Sequence, residues 1–375
     1  MRLILTDLDA RKAFDIFNLM KYYKYDINAY SSSSKVELKI LEIIYGQKID
    51  RLDKSNLSSS FKFAIDDIDT KYIYFPIEED STVQFYDFIQ ESEISNFYYS
   101  LPPRDSFECV RDKSKFSAYC SKNSLPIPLE YQYDDILQLG ELPCNLIIKP
   151  KFGSGSMGIE FIDTFDEFLN CKELDFTQYI IQERLDNSKD IEGAFFLFDK
   201  GKLVSYYGHK RIRTYPQNGG VTVYSKCEIN SELRELGSKL LEALNWSGIA
   251  MVEFLFDTKS GSYKIIEVNP RAWGSIMLSE FSNANILKNY IKISLGDTPI
   301  VSKVDEDRYI RWIFPWDVIS YIKSRGDIKG FWSLDRDNTC YINFTYSTYY
   351  RSTLFLLYNI FDHKKIKKLL KKVFQ

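Results

Sequence analysis

Two carboxylates and one amide in the second half of the chain have the residue types and spacing of ligands for a hard cation. Glu253 lies within the apolar stretch MVEFLFD, and Glu267 and Asn269 lie two residues apart in IIEVNPR. Residues i and i+2 of a strand share one face, and a hairpin would bring Glu253 near Glu267, give or take one residue of register. Such oxygen ligands suit Mg²⁺, with Mn²⁺ as a variant. The alternative to a metal site is a pair of glutamates that face solvent on an exposed sheet face. Arg271, just beyond, is placed to reach a transferring phosphoryl group.

A glycine-rich loop lies in KPKFGSGSMGIEF (149–161). Gly153, Gly155 and Gly158 match G-x-G-x-x-G, a pattern of dinucleotide-binding turns. That turn requires a helix after its last glycine to receive the pyrophosphate, whereas the residues IEFIDTF alternate like a strand. We therefore predict a loop between two strands whose backbone N–H groups bind phosphate oxygens beside Lys149. A flexible turn with an incidental lysine is the alternative.

The composition argues against several other chemistries. A net charge of −3 gives no general attraction to nucleic acid, so none is expected as a partner. The six cysteines are widely spaced and there are two histidines, which argues against a zinc site or a His-based triad and for a reducing compartment. Asp7 and Asp9 interrupt what a signal peptide would need as an apolar stretch, and no apolar run reaches the roughly 18–20 residues that span a bilayer. We expect a cytoplasmic protein.

The first part of the chain is typical of a small α/β domain. RLILTDL (2–8) is a predicted buried strand, and RKAFDIFNLMKYY after it has helical spacing. KYIYFPI (71–77) is a second predicted strand, followed by a helix that starts at Ser81. The proline pair in LPPRDS (101–106) marks a domain boundary.

The middle of the chain is predicted to contain both helices and strands. Helices are predicted over 114–122, TFDEFLNCKEL and NSELRELGSKLLEALNWSG, the last capped by Ser231 and ended before Gly248; strands are predicted over 145–150, 158–163 and 179–185. One hairpin is predicted to turn at Asp199-Lys200-Gly201, and a second joins IAMVEFLFD to YKIIEVNP. The two glutamates of the predicted cation site lie on the second hairpin.

Four segments, taken together in their order and spacing, resemble the ATP-grasp superfamily and, within it, the carbamoyl-phosphate-synthase-like, carboxylate–amine-ligase-like branch. They are NLIIKPKFGSGSMGIEF, YIIQERL, GHKRIRTYPQNGG and IIEVNPRAWGS. The resemblance implies an α/β and α+β protein in which an ATP-grasp fold follows a Rossmann-like N-terminal domain. The implied domains are 1–103, then 104–298 with a glycine-loop subdomain at about 125–185, and a C-terminal extension at 299–375.

The resemblance also implies roles for individual residues. The implied nucleotide ligands are Lys113, Lys149, the loop residues Gly153, Ser154, Gly155, Ser156, Met157 and Gly158, the hinge residues Gln182, Glu183, Arg184 and Leu185, and Glu192 near the ribose. The implied metal ligands are Glu253, Glu267 and Asn269, and the implied catalytic residues are Lys210, Arg213 and Arg271, with Arg211 near the phosphates. Thr214 stands where many relatives have an acidic residue, which bears on substrate choice. His209 either touches a phosphate or packs against its neighbours.

The reaction implied by the resemblance has two steps. A substrate carboxylate attacks the γ-phosphate of ATP, and an amine then displaces phosphate from the acyl phosphate to form an amide. The expected partners are therefore a small carboxylate and a small amine. For the assembly of the chain, a homodimer is an alternative to a monomer. A phosphotransferase that stops after one transfer, and a nucleotide-binding protein without catalysis, are the competing functions.

Residues 351–375 are predicted to form a basic amphipathic helix. Apolar residues recur at helical spacing beside a series of lysines: Leu354, Leu356, Leu357, Ile360, Ile366, Leu369, Leu370 and Phe374, and Lys364, Lys365, Lys367, Lys368, Lys371 and Lys372. Such a helix can lie on an anionic membrane surface, which predicts peripheral membrane contact. The alternative is a terminal helix packed on the body of the protein, with its lysines in solvent.

Overall fold

The computed structural model divides into two compact units. Unit 1 contains residues 1–100, 204–229 and 271–375, and unit 2 contains residues 101–203 and 230–270. The described residues are 1–53, 55–56, 60–61, 69–91, 95–153, 158–186, 191–215, 221–313, 317–324, 326, 331–332, 335, 337–342 and 349–361. The three predicted domains stay a prediction. None of the helices in the described ranges has the length and apolar character needed to cross a bilayer.

The helices and strands follow one another along the chain as an α/β arrangement. The strands are β1 (Arg2–Leu5), β2 (Asp26–Ser31), β3 (Asp50–Arg51), β4 (Tyr72–Phe75), β5 (Phe97–Tyr98), β6 (Glu130–Tyr131), β7 (Leu146–Pro150), β8 (Glu160–Ile162), β9 (Tyr179–Glu183), β10 (Glu192–Asp199), β11 (Lys202–Tyr215), β12 (Val221–Cys227), β13 (Gly248–Asp257), β14 (Ser262–Asn269), β15 (Tyr309–Arg311) and β16 (Thr339–Tyr341). The helices are α1 (Arg11–Tyr22), α2 (Lys35–Tyr45), α3 (Glu79–Glu91), α4 (Arg104–Arg111), α5 (Lys113–Lys122), α6 (Tyr133–Leu139), α7 (Phe165–Asn170), α8 (Ser231–Ala243), α9 (Met277–Phe281), α10 (Ile286–Ser294), α11 (Val318–Lys323) and α12 (Tyr349–Phe361).

Unit 1 begins with a parallel sheet of order β3-β2-β1-β4-β5. All four residues of β4 are buried, as expected for a parallel strand covered on both faces. The predicted Rossmann-like domain is thereby confirmed. The predicted helix start at Ser81 is wrong by two residues, since α3 begins at Glu79. Ser81 is fully buried and donates its hydroxyl to Asp7, so its side chain serves the interior.

Unit 1 also contains four strands in the order β11-β12-β15-β16. The first three pair antiparallel, and β16 pairs parallel to β15. The last described helix, α12, packs against the N-terminal part of the same unit, where Phe355 stacks on Phe14 with ring centroids 4.2 Å apart. The first half of the predicted tail helix is thus confirmed. Residues 362–375, which carry the lysines, lie outside the described part of the chain, so membrane contact stays a prediction.

Unit 2 contains an antiparallel sheet of order β6-β9-β7-β8, covered by α6 and α7. Its core consists of the fully or almost fully buried residues Ile136, Leu146, Ile148, Ile162, Phe168 and Ile181. β7 and β8 flank the glycine loop and pair with each other, with Ile148 opposite Glu160. The prediction that this loop joins two strands is confirmed, and the helix that a dinucleotide-binding turn requires does not follow it.

A second antiparallel sheet of unit 2 has β13 between β10 and β14. Helix α8 packs on it through Gly237, where an added Cβ would lie 2.3 Å from the ring of Phe196, so only glycine fits. The predicted cap at Ser231 is wrong. Asn230 caps α8 instead, because its side-chain oxygen accepts hydrogen bonds from the backbone N–H groups of Glu232 and Leu233.

Candidate active site

The β13–β14 hairpin places the predicted metal ligands together. Glu253 lies directly opposite Glu267, and the register becomes irregular immediately after this pair. Asn269 is 4% exposed and donates a hydrogen bond from Nδ2 to Glu267 Oε1 at 3.3 Å. The predicted hairpin and its register are confirmed. Two facing carboxylates repel each other unless positive charge lies nearby.

Two lysines supply positive charge next to these carboxylates. Lys149 is the last residue but one of β7 and is almost fully buried. Burial lowers its pKa to about 8, although Glu267 acts in the opposite direction. Lys113 begins α5, with its Nζ 3.8 Å from Glu267 Oε2. The same Nζ donates to the backbone carbonyl of Gly153 at 2.8 Å. Lys113, Lys149, Glu253, Glu267 and Asn269 therefore form one cluster, which we call the lysine–carboxylate cluster.

The donor set of the lysine–carboxylate cluster fits a hard divalent cation. Glu253 and Glu267 carry carboxylate oxygens and Asn269 carries an amide oxygen, which are ligands that Mg²⁺ accepts. Across the described residues, no group of three or more His, Cys, Asp or Glu side chains could hold a metal ion alone. A cation at this position would thus need further oxygens, which waters and phosphates commonly supply for Mg²⁺. The metal assignment stays a prediction.

The first and last glycines of the glycine loop have backbone conformations that favour glycine. Gly153 has φ 114° and Gly158 has φ 71°, both in the range that L side chains rarely adopt. An added Cβ on Gly158 would also lie 3.1 Å from Pro150. The other predicted loop residues, Ser154, Gly155, Ser156 and Met157, lie outside the described part of the chain.

The predicted nucleotide hinge lies at the end of β9. Gln182 and Leu185 are buried, at 6% and 7% exposure. Glu183 accepts a hydrogen bond from the backbone N–H of Leu129 at 2.9 Å. Arg184 donates its backbone N–H to Asn145 O at 2.7 Å and pairs with Asp163. These hydrogen bonds fix the hinge residues Glu183 and Arg184 to neighbouring segments of unit 2. The contact of the hinge with adenine stays a prediction.

Glu192, the predicted ribose ligand, already has a partner within unit 2. Its Oε1 accepts a hydrogen bond from the hydroxyl of Tyr263 at 2.7 Å. Burial, together with this carboxylate, raises the pKa of Tyr263 above its ordinary value. The Tyr263 hydroxyl thus stays protonated and orients Glu192, whose contact with a ribose stays a prediction.

The three predicted catalytic cations lie in unit 1, and each lies near a carboxylate. Arg213 donates from Nε and Nη2 to the two oxygens of Asp317, at 2.8 and 3.0 Å. Arg271 Nε is 3.2 Å from Glu79 Oε1, and Lys210, whose side chain is 67% exposed, is 3.9 Å from Glu228. Arg213 would have to leave a fully buried partner to reach a phosphate, whereas Lys210 is accessible.

His209 is neutral in this structure. Burial lowers its pKa to about 3, and Arg211 acts in the same direction. Its Nδ1 lies 3.0 Å from Ser275 Oγ. A neutral imidazole gives no charge attraction to a phosphate, so the packing alternative fits His209 better. Thr214 lies on β11 opposite Thr222.

Sequence reasoning missed several charged residues that interact with the predicted catalytic arginines. Lys12 donates to the backbone carbonyl of Ala272 at 2.9 Å and pairs with Glu78 at the same distance. Burial, together with the neighbouring Arg271, lowers the pKa of Lys12 to about 8. Asp317 was missed as well, since no motif surrounds it. The charged run Glu78-Glu79 was the one available signal, because it follows a predicted strand.

Comparison with known proteins identifies the fold. Residues 110–275 match the family model of the ATP-grasp domain. The carbamoyl phosphate synthase large chain of Methanosphaerula palustris is 26% identical over 210 residues, which cover 52% of this chain and 20% of that one. Acetyl-CoA carboxylase 2 of Oryza sativa is 23% identical over 161 residues, or 40% of this chain and 7% of that one. The chain spans at most about a fifth of the length of these relatives.

Solved structures agree with this fold. Biotin carboxylase of Campylobacter jejuni, in complex with a β,γ-ATP ligand, has a TM-score of 0.61 at 15% identity, covering 82% of this chain and 74% of that one. The N5-carboxyaminoimidazole ribonucleotide synthetase of Thermotoga maritima has a TM-score of 0.57 at 13% identity, with coverages of 81% and 78%. The predicted resemblance and the predicted ATP-grasp fold are confirmed.

Proposed function

We propose, from the match of residues 110–275 to the family model of the ATP-grasp domain, that this protein is an ATP-dependent ligase which activates a small carboxylate and joins it to an amine. The lysine–carboxylate cluster is the observation that carries the proposal. It combines three oxygen-bearing side chains of the β13–β14 hairpin with two cations, one of which, Lys149, lies on a strand that flanks the glycine loop. This combination suits a polyphosphate bound together with a divalent cation.

Lys113 and Lys149 would bind the phosphates of ATP. Lys149 is buried and has a lowered pKa, so an arriving phosphate would favour its charged form and gain a strong ion pair. Lys113 would exchange part of its contact with Glu267 for a phosphate oxygen while its hydrogen bond to Gly153 keeps it at the loop. The two lysines thus define where the charge of the nucleotide would lie.

Glu253, Glu267 and Asn269 would hold Mg²⁺, with Mn²⁺ as a variant. The ion would neutralise phosphate charge and polarise the γ-phosphorus toward attack. The facing register of the two glutamates keeps both carboxylates on one side of the hairpin, and the amide of Asn269 fixes the orientation of Glu267. Among the structural relatives, a biotin carboxylase domain of Hydrogenobacter thermophilus was solved with MgADP and bicarbonate, which supports this choice of ligands.

The reaction would proceed in two balanced steps. A carboxylate oxygen bonds to the γ-phosphorus, the bond from that phosphorus to the bridging oxygen breaks, and ADP leaves. The amine nitrogen then bonds to the carbonyl carbon of the acyl phosphate, inorganic phosphate leaves, and the nitrogen loses a proton. The residues of this chain would position the reactants and exclude water, which otherwise hydrolyses the acyl phosphate. Arg271 and the accessible Lys210 are the proposed stabilisers of charge on the transferring group.

The test is ADP release from Mg·ATP with a panel of small carboxylates, with and without a pool of amines. The ligase predicts an amine-dependent product and one ADP per amide formed. A stable phosphorylated carboxylate without amine dependence would support the phosphotransferase, and ATP binding without turnover across the panel would support the nucleotide-binding protein.

A matched pair of variants ties any activity to the cluster. Lys113→Met removes the cation beside Glu267, whereas Lys115→Met removes an exposed cation two residues along the same helix. We expect turnover to fall by about a hundredfold or more in Lys113→Met, because charge-assisted contacts to phosphate are among the strongest polar contacts. Lys115→Met should turn over like the wild type, and an equal loss in both variants would contradict the assignment of Lys113.

A further inference from the structure

Several buried polar atoms in unit 1 have no hydrogen-bond partner among the described residues, and three of these belong to β11, β12 and the residue that follows β15. They are Nε of Arg211, Oγ of Ser225 and Nε1 of Trp312. Ser225 is fully buried and Trp312 is 2% exposed, so solvent does not replace the missing partners. Buried polar groups in folded proteins nearly always have a partner, and each exception requires a reason.

The three side chains share one face of the β11-β12-β15 sheet. Arg211 lies opposite Ser225, and Ser225 lies opposite Ile310. Trp312 is two residues beyond Ile310 and continues the pairing, since its backbone N–H bonds to Val223 O at 2.8 Å. Alternate residues of an extended strand point to the same side, so Trp312 lies on the side of Ser225.

A fourth donor extends this face. The guanidinium of Arg11 lies over the ring of Trp312, with its Cζ 5.0 Å from the ring centroid. Gly274 provides the space for it, because an added Cβ there would lie 2.8 Å from Arg11 Nη2. Ser275, next in the chain, contacts His209, and His209 interacts electrostatically with Arg211. Contacts at Gly274 and Ser275, which are neighbours in sequence, therefore connect Arg11 with Arg211 through His209. We call Arg11, Arg211, Ser225 and Trp312 the donor cluster.

The donor cluster contains two guanidinium groups and is therefore positively charged. The acidic neighbour of Arg11 is Asp15, and burial raises its pKa to about 8, so it is mostly protonated at neutral pH. Its Oδ2 also has no partner among the described residues. His209 is neutral and adds no charge of its own. Two guanidinium groups, an indole N–H and a hydroxyl thus lie along this face, and the carboxyl group next to Arg11 carries little charge at neutral pH.

We propose that the donor cluster binds an anionic group, a carboxylate or a phosphate, of one of the two substrates. The inference rests on the proposed function, which requires a site for a small acid. Guanidinium groups match the planar or tetrahedral oxygens of such anions, and the indole N–H and the hydroxyl supply further single hydrogen bonds. A neutral substrate would leave these donors unpaired, so the cluster selects for substrates that carry a negative charge.

The test uses titration calorimetry to measure the binding of inorganic phosphate and, separately, of malonate. Both titrations use the nucleotide-free protein at constant ionic strength. We expect one of the two anions to bind saturably, and the arm that binds identifies the group. Trp312→Phe keeps the ring under Arg11 and deletes the unpartnered N–H, and Ser225→Ala deletes the hydroxyl. Each should weaken the binding of the anion by about tenfold, as expected for one hydrogen bond to a charged group.

Trp246→Phe is the matched control, because the Trp246 N–H already bonds to Ile249 O inside unit 2. It should bind the anion as the wild type does. The inference is overturned if neither anion binds saturably, or if Trp312→Phe and Ser225→Ala both bind with wild-type affinity. Titration of the same variants with Mg·ATP separates the two proposals: normal Mg·ATP binding without anion binding removes the donor cluster alone, and anion binding without Mg·ATP binding removes the ligase alone.

Discussion

Arg211 and Arg213 lie two residues apart on β11 and have opposite environments. Arg213 donates two hydrogen bonds to the buried carboxylate of Asp317, which also receives Nε of Arg311 at 2.6 Å. Arg211 Nε has no partner within the described part of the chain. The donors of Arg213 to Asp317 contribute to the fold, whereas the buried unsatisfied Nε of Arg211 requires an explanation, which the proposed anion supplies.

The register of β11 explains why two such near neighbours differ. Arg211 lies opposite Ser225 and Arg213 opposite Tyr224, so the pairing shifts between them. Ser225 and Tyr224 are adjacent on β12 and therefore point to opposite faces, and the two arginines follow them. The guanidinium of Arg213 lies 4.8 Å from the ring centroid of Tyr224, consistent with that face. An irregular strand thus separates a structural face from a binding face.

The largest effect is expected on the structural face. Asp317→Ala would leave Arg213 and Arg311 without their shared carboxylate, and Arg311 is 3% exposed. Removing one partner from a buried ion pair lowers the free energy of unfolding by about 3–5 kcal/mol. Urea denaturation measures it, with Arg211→Gln as the matched variant on the other face, where a change within about 0.5 kcal/mol is expected. A larger loss in Arg211→Gln than in Asp317→Ala would reverse the comparison.

The charge of the binding face can be tested through Asp15. Its folded pKa of about 8 lies above the unfolded value, so the folded state binds the extra proton at intermediate pH. Stability should therefore fall as the pH rises from about 4 to 8, by at most about 1.4 kcal/mol per pH unit. Asp15→Asn should remove this decline, whereas the exposed Asp26→Asn should keep it. An unchanged pH profile in Asp15→Asn would mean that Asp15 is ionised and balances Arg11.

A smaller effect distinguishes a paired indole from an unpaired one. The N–H of Trp273 donates to the buried hydroxyl of Tyr207 at 2.7 Å, whereas the N–H of Trp312 has no partner among the described residues. Trp273→Phe should lower the free energy of unfolding by about 1 kcal/mol or more, because it leaves that hydroxyl without its donor. Trp312→Phe should leave stability unchanged or raise it. Equal losses in thermal or urea unfolding would place Trp312 in the structural set.

Local patterns predicted the part of the site that lies on one hairpin and one loop. Strand alternation was sufficient to place Glu253 near Glu267 to within one residue of register, and the residues after Gly158 were sufficient to reject a dinucleotide turn. These features depend on neighbours in sequence, where periodicity carries information.

The remaining features depend on residues distant in sequence. Arg213 and Asp317 are 104 positions apart, and nothing near either residue indicates the other. The irregular register of β11 and the burial of Ser225 and Trp312 are set by packing across the sheet, which a pattern along one strand does not encode. The cap of α8 was misassigned by one residue because Asn230 and Ser231 are both good cap formers, and the turn geometry selects between them.

Titration of Mg·ATP into the wild type and Glu267→Gln tests the central claim most directly. Glu267 links the two halves of the lysine–carboxylate cluster, since it contacts both Lys113 and Asn269. The wild type should bind ATP in a Mg²⁺-dependent manner and show no comparable binding of NADH. Glu267→Gln should stay folded and bind Mg·ATP at least about tenfold more weakly, since even outer partners of metal ligands contribute this much. The exposed Glu235→Gln, on α8 of the same unit, should bind as the wild type does. Wild-type Mg·ATP affinity in Glu267→Gln at low Mg²⁺, or binding of NADH in place of Mg·ATP, would contradict the account.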